Sequence, residues 1–392
     1  MNTVKLGSIL EMTKGKKPLF QTKEYEEGLL PYVDIKAFET GIVDNYTDGQ
    51  KCLFCEDGDI LLVCDGSRSG LVGYAIEGYV GSTLAKLSAD GLINSYLYYF
   101  LQSKYQILNT NQKGTGTPHV NPEVLKNFEI PIPSISEQER IVARVEELFS
   151  QLDKSVETLQ KIKEQLTVYR QAVLKDAFEG KLTNCIKIDD ANLGSLIEKP
   201  RYGTSKKCSY SITKATIPVY RIPNINHHFG VIDHSDLKYA EFKDSELNAL
   251  TLQEGDLLLI RSNGSASLVG RAAMVKQTDL GGTFAGYLIR LRIKDQMIMN
   301  PKYLLLYLQS FVARCYIENK AKSTSGVHNI NSDEISELKI PLYRLNEQQT
   351  IIEAIEARTS ICDKISEIIE QSLNQAEAMR QSILKQAFEG KL

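Results

Sequence analysis

The stretch from Glu137 to Leu182 recurs without a gap 210 positions later, as Glu347 to Leu392. Glu137-Gln138 returns as Glu347-Gln348, Asp153-Lys154 as Asp363-Lys364, and Ala177-Phe178-Glu179-Gly180-Lys181-Leu182 as Ala387-Phe388-Glu389-Gly390-Lys391-Leu392. Neither copy holds a Gly or Pro before that closing Gly, so each can form one unbroken helix of roughly 42 residues, about 63 Å long. In the first copy the apolar positions Ile141, Val145, Leu148, Leu152, Val156, Leu159, Ile162, Leu166, Tyr169, Val173 and Ala177 advance in steps of three and four, the spacing of a coiled-coil seam. The second copy reads Ile355, Cys362, Ile365, Ile369, Ala376, Met379 and Ile383, interrupted by Arg358 and Ser372. Each stripe needs a partner, and the obvious partner is the other copy. Duplicated packing helices are the plain alternative, but a helix this long projects beyond a single compact domain and so spaces or joins something.

Each copy follows an X-Pro exit, Ile130-Pro131-Ile132-Pro133 and Ile340-Pro341-Leu342-Tyr343, which favours extended backbone and stops what precedes it. The segments before the helices repeat as well. Leu6-Gly7-Ser8 answers Leu193-Gly194-Ser195, Pro31-Tyr32-Val33-Asp34-Ile35 answers Pro218-Val219-Tyr220-Arg221-Ile222, and Gly58-Asp59-Ile60-Leu61-Leu62-Val63 answers Gly255-Asp256-Leu257-Leu258-Leu259-Ile260. Short β-branched runs between Gly, Asp, Asn and Ser predict strands and turns. The Leu- and Tyr-rich stretches Asn94 to Leu108 and Pro301 to Ile317 predict helices. The order is globule, long helix, globule, long helix, with residues 183–192 as the link.

Composition is that of an ordinary globular protein, 42% apolar and 24% charged. No apolar run has the length of a membrane span, and Met1 to Leu10 lacks the pattern of a signal peptide, so a cytoplasmic protein without membrane contact is expected. Seven scattered cysteines suit a reducing compartment. Cys52 and Cys55 have metal-ligand spacing but no second pair, so buried or half-buried thiols are expected and no metal. Residues 1–133 carry 12 Lys and Arg against 16 Asp and Glu, whereas residues 191–343 are net positive. Neither globule is basic enough to announce nucleic acid through charge alone, so DNA binding would rest on local patches, shape and basic partners.

No catalytic signature is present. The chain has no Walker A loop and no Asn-Pro-Pro-aromatic tetrapeptide, and no phosphate-cradling Gly-x-Gly-x-x-Gly follows a strand. The five histidines form neither a metal spacing nor a triad, and His227-His228 reads as a turn pair. The two globules differ most in matched polar loops: Cys64 to Gly70 against Arg261 to Ser267, and Lys113 to His119 against Lys322 to His328. Small residues let backbone amides approach phosphates, hydroxyls bond phosphate oxygens, and Arg or Asn can pair with guanine or adenine edges. The candidate DNA contacts are therefore Ser67, Arg68, Thr115, Thr117 and His119 in the first globule, and Arg221, Arg261, Ser262, Asn263, Ser265, Lys322 and His328 in the second. The basic clusters Lys14, Lys16, Lys17 and Arg201, Lys206, Lys207 join them as phosphate contacts. Arg68, Arg261 and Asn263 are the strongest of the set. Tyr32, Tyr202, Tyr210 and Tyr220 read as core or strand-face residues.

These features together resemble the specificity (S) subunit of type I restriction-modification systems. The resemblance rests on two half-length repeats, the Gly-Asp-Ile-Leu-Leu strand with its Gly-Ser loop, the Ile-Pro-x-Pro exit, the Glu-Gln-x-x-Ile helix start and the Ala-Phe-x-Gly-Lys-Leu close. It covers essentially the whole chain. It implies an α+β fold with a pseudo-two-fold internal repeat: target recognition domains at 1–133 and 183–343 (the latter with its linker), and long helices at 134–182 and 344–392 paired antiparallel as a coiled coil. Each domain would read one half of a split, asymmetric double-stranded DNA target, and the helices would set the spacer and dock two methyltransferase (M) subunits carrying S-adenosylmethionine. Restriction (R) subunits with ATP and Mg would complete the assembly, while this chain would hold no cofactor and catalyse nothing itself. A coiled-coil scaffold that does not read DNA is the alternative, but it has no reason to diversify matched polar loops.

Overall fold

The computed structural model describes residues 2–114, 118–324 and 326–392, with the side chains of 322–324 outside the description. Its contacts divide the chain into two compact units, Met1–Gln160 with Glu370–Leu392, and Lys161–Ile369.

The first unit is built around the strand Ile60–Val63, whose four residues are all buried. Alternate side chains of a strand face opposite ways. Ile60 and Leu62 accordingly join the core under the helix Asn94–Thr110, while Leu61 and Val63 join a second core with Val33, Cys55, Val80 and Leu84. The antiparallel sheet runs in the order Leu10–Lys14, Leu84–Ala89, Ile60–Val63, Val72–Tyr74. A further sheet orders Tyr46–Thr47, Leu30–Val33, Gly78–Val80 and Phe54–Cys55, with the middle pair parallel. Thr3–Lys5 pairs with Glu129–Pro131, tying the start of the globule to its exit.

The second unit repeats this plan. Its antiparallel sheet has the order Arg201–Tyr202, Leu288–Leu291, Leu257–Ile260, Ala272–Met274. The fully buried strand again feeds two cores, Leu257 and Leu259 on one side and Leu258 and Ile260 on the other. Thr216–Tyr220 lies between Lys238–Glu241 and a parallel Thr283–Phe284, and Asp189–Asn192 pairs with Lys339–Leu342. The Gly-Asp pair before each central strand has a local job. Asp59 accepts from the Glu56 amide and pairs with Lys86; Asp256 accepts from the Gln253 amide and takes two hydrogen bonds from Arg292.

The helical stretch after Pro301 differs from its counterpart. Instead of one helix it forms Pro301–Leu308 and Phe311–Lys320, because Ser310 takes an extended backbone and its side chain caps the second piece through the Ala313 amide. A capping hydroxyl competes with helix continuation, so the break follows from local chemistry.

The long helices span Ile135–Phe178 and Leu345–Phe388, each of 44 residues. Gly180 and Gly390, at φ of 74° and 72°, end them in the left-handed conformation that glycine adopts freely. Both leave their globules through one device. The buried Gln138 accepts from the Ile93 amide and donates to the carbonyls of Gly91 and Pro133. Gln348 accepts from the Asn300 amide and donates to the carbonyls of Ile298 and Tyr343. The helix ends are exchanged between units. Phe388 packs edge-on against Tyr96 and Phe100 in the first unit, and Phe178 against Tyr303 and Tyr307 in the second.

The predicted apolar stripe is offset at one position in each copy. Tyr169 and Met379 are 48% and 55% exposed. The next residue, an arginine in both copies, turns inward: Arg170 bonds Asp363 in the second unit and Arg380 bonds Asp153 in the first. A real helix advances 3.6 residues per turn, so a 3.5-residue pattern drifts until a neighbouring position takes the inward-facing place.

Candidate nucleic-acid interface

In the first unit, strand pairing puts Lys14 opposite Ala85, close to the loop that follows the central strand. Its ammonium donates to Asp65 Oδ2 at 2.8 Å, and His119 Nδ1 lies 2.7 Å from Asp65 Oδ1. Asp65 thus joins two of the predicted DNA contacts. Burial alone would raise its carboxyl, but the hydrogen bonds from Lys14 and His119 outweigh that and hold it below the usual carboxylate range. Asn109 pins the same loop by donating to the carbonyls of Ser67 and Ser69. Arg68 pairs with Glu39 at 2.6 Å, so its charge is offset. Lys16 and Lys17 are exposed, and Thr115 and Thr117 lie outside the described residues.

The second unit carries a cleft of about 660 Å³ at the matching place. Lys206, Arg221, Lys238 and Arg261 line it with Tyr202 and Tyr287, and among the described residues no carboxylate is in its walls. Two of the four cations are compensated from just outside. Arg221 bonds Asp236 at 2.8 Å, which with Tyr210 lowers that carboxyl, and Lys206 bonds Glu246 at 2.7 Å. Lys238 sits 4.7 Å over the Tyr210 ring. Arg261 stacks 4.5 Å over Tyr202 and donates to the Gly286 carbonyl at 3.4 Å, with no acidic partner among the described residues.

Cys64 and Arg261 occupy one address. The Cys64 amide donates to Thr83 and the Arg261 amide to Tyr287, while their carbonyls accept from Val120 and Ile330. Burial pushes the Cys64 thiol up to about 11, so this position is inert in the first unit and cationic in the second. One scaffold carries two unlike surfaces.

A family model described as "Type I restriction modification DNA specificity domain" matches residues 1–168 and 188–377. The chain belongs to this family. Among curated relatives of this specificity family, the EcoKI specificity subunit of Escherichia coli K12 is 28% identical over 393 residues, covering 96% of this chain and 82% of the relative. The MjaVIII specificity subunit of Methanocaldococcus jannaschii is 26% identical over 403 residues, covering 99% and 92%. Two solved structures share the fold. A chain from work on assembly and conformational transition of the type I R-M system superposes with a TM-score of 0.74 at 19% identity, covering 100% of this chain and 98% of its own. The HsdS subunit of Thermoanaerobacter tengcongensis gives 0.52 at 18% identity, covering 100% and 97%. DNA sequence recognition in a type I restriction-modification system is therefore the role of this specificity protein, and a scaffold that ignores DNA finds no support.

Among the remaining predicted contacts, Arg201 and Lys207 are exposed. Ser262 and Asn263 form a short strand against Asn329 and His328. Asn263 Oδ1 accepts from the Ser265 amide, Ser265 Oγ meets Ser267 Oγ, and His328 Nδ1 meets the Ala321 carbonyl at 3.2 Å. The Lys322 side chain lies outside the described residues. Tyr32 and Tyr220 are buried as expected of core tyrosines, and Tyr202 lies on the strand Arg201–Tyr202 with Arg261 over its ring, but Tyr210 is exposed beside Asp236. Lys238 and Tyr287 escaped the sequence reading, because nothing in their local pattern separates them from ordinary strand and turn residues. Cys55 is buried against the Ile76 and Gly78 carbonyls. Among the described residues no group of three potential metal ligands occurs, and no helix is long and apolar enough to cross a membrane.

Proposed function

We propose that each unit reads one half of a split, asymmetric DNA duplex sequence, and that the long helices pair antiparallel as a coiled coil that sets the spacer and docks two M subunits. The M subunits bring S-adenosylmethionine and adenine methylation, and the R subunits bring ATP, Mg and cleavage. This chain directs both and contributes no reacting group. The observation that carries this reading is the change of chemistry at one address, Lys14–Asp65–His119 with Cys64 in one unit and Tyr202–Arg261 with Tyr287 in the other. Unlike surfaces on like scaffolds are what two unlike half-sites require. Antiparallel pairing is supported by Arg170–Asp363 and Arg380–Asp153, which are one contact made twice with the partners exchanged by the 210-residue repeat.

The test is to express the chain with its methyltransferase partner and map the methylated adenines. A motif of two unlike halves around an unspecified spacer is expected, and exchanging residues 1–133 for those of a relative should change one half alone. A continuous or palindromic motif would sink the reading. Lengthening both helices by one turn should widen the spacer and leave both halves unchanged.

A further inference from the structure

We infer that Arg261, flanked by Tyr287, reads a guanine in the half-site bound by the second unit; this rests on the reading above and names the residue and base that carry it. Of the four cations in the cleft, Arg221 and Lys206 already hold carboxylates, and Lys238 offers a point charge over an aromatic ring. Arg261 alone combines a planar fork with an uncompensated charge. Its plane is set in advance by the Tyr202 ring and by the bond from Nη1 to the Gly286 carbonyl. That leaves the second Nη1 hydrogen and both Nη2 hydrogens free among the described residues, the donors that a bidentate bond to guanine O6 and N7 uses.

The backbone under this side chain is held on both sides. The Arg261 amide donates to Tyr287 and its carbonyl accepts from the Ile330 amide, each at 2.9 Å. A reading residue needs such support, since a loosely held fork discriminates poorly. Tyr287 stands beside it 64% exposed, with a hydroxyl that has no partner among the described residues. Of the other strong candidates, Asn263 has its Oδ1 turned to the Ser265 amide, and Arg68, in the first unit, is paired with Glu39. The first unit has Cys64 and Thr83 at the two addresses, so it cannot read by the same contact.

The experiment uses the complex of the full chain with its methyltransferase partner, offered a library of duplexes with randomised sites. The wild-type motif should contain a guanine in one half for which Arg261→Gln loses preference by roughly 5- to 150-fold, with the other half unchanged. Arg261→Lys, which keeps the charge but not the fork, should lose the same discrimination while the salt dependence of binding stays put. Replacing that guanine with 7-deazaguanine should weaken the wild type and leave Arg261→Gln indifferent. Melting curves matching the wild type establish that both variants fold. Uniform weakening on all sequences with a shallower salt slope would make Arg261 a phosphate contact and overturn the inference, as would an unchanged motif; in both cases the split motif, and the reading it supports, would stand. A wild-type motif that is not split would instead overturn that reading, and this inference with it.

Discussion

The Arg170 guanidinium donates to the Asp363 carboxylate at 2.6 Å, and their repeat equivalents Arg380 and Asp153 make the same pair in the other unit. Asp363 is 40% exposed, so the pair is worth little in water, of the order of 0.5–1 kcal/mol. A double-mutant cycle of Arg170→Gln and Asp363→Asn, read from urea midpoints, should give a coupling in that range that shrinks in high salt. No coupling at any salt would mean the pair does not contribute in solution.

Gln348 supports more than an exposed ion pair does. Its amide satisfies the Asn300 N–H and two carbonyls at the start of the second long helix, and it is fully buried. Gln348→Leu keeps the bulk but strands three backbone groups, so it should cost about 2–4 kcal/mol. Amide exchange at Asn300 should accelerate with it. A melting midpoint unchanged from the wild type would show that water or a neighbour replaces the side chain without loss.

Asp65 makes the first unit sensitive to acid. Its folded carboxyl titrates below the usual carboxylate range: burial would raise it, but the bonds from Lys14 and His119 outweigh that. A depressed folded pKa stabilises above the unfolded one, and the contribution disappears as pH falls through the folded value. The stability gap between wild type and Asp65→Asn should thus be present at neutral pH and close below about pH 4. A gap that is constant across that window would assign the effect to packing instead.

The parts legible in the sequence are those set by spacing. The 210-residue repeat and the absence of Gly and Pro placed the long helices, and the run Ile60-Leu61-Leu62-Val63 reads as a strand because both its faces are buried. What escaped depends on partners brought from far away in sequence. Arg68 looks free until Glu39 meets it, Arg221 until Asp236 does, and Tyr202 becomes a platform only when the fold brings Arg261 over its ring. The offset from Tyr169 to Arg170 has another origin, since a pattern of threes and fours does not state where the helix will drift.

The exchanged helix ends give the most distinctive expectation. Phe178 belongs to the first repeat yet packs between Tyr303 and Tyr307, while Phe388 of the second repeat packs between Tyr96 and Phe100. Phe178 is buried, so Phe178→Ala should cost about 3–5 kcal/mol; Phe388 is only half-buried and should cost less. The loss should appear in the other repeat's globule. Hydrogen exchange should quicken over Pro301–Leu308 in Phe178→Ala, and over Asn94–Thr110 in Phe388→Ala, with each variant's own globule unaffected. If protection is lost instead in the globule of the same repeat, the helix ends are not exchanged in solution, and the antiparallel pairing proposed for the two helices loses its footing.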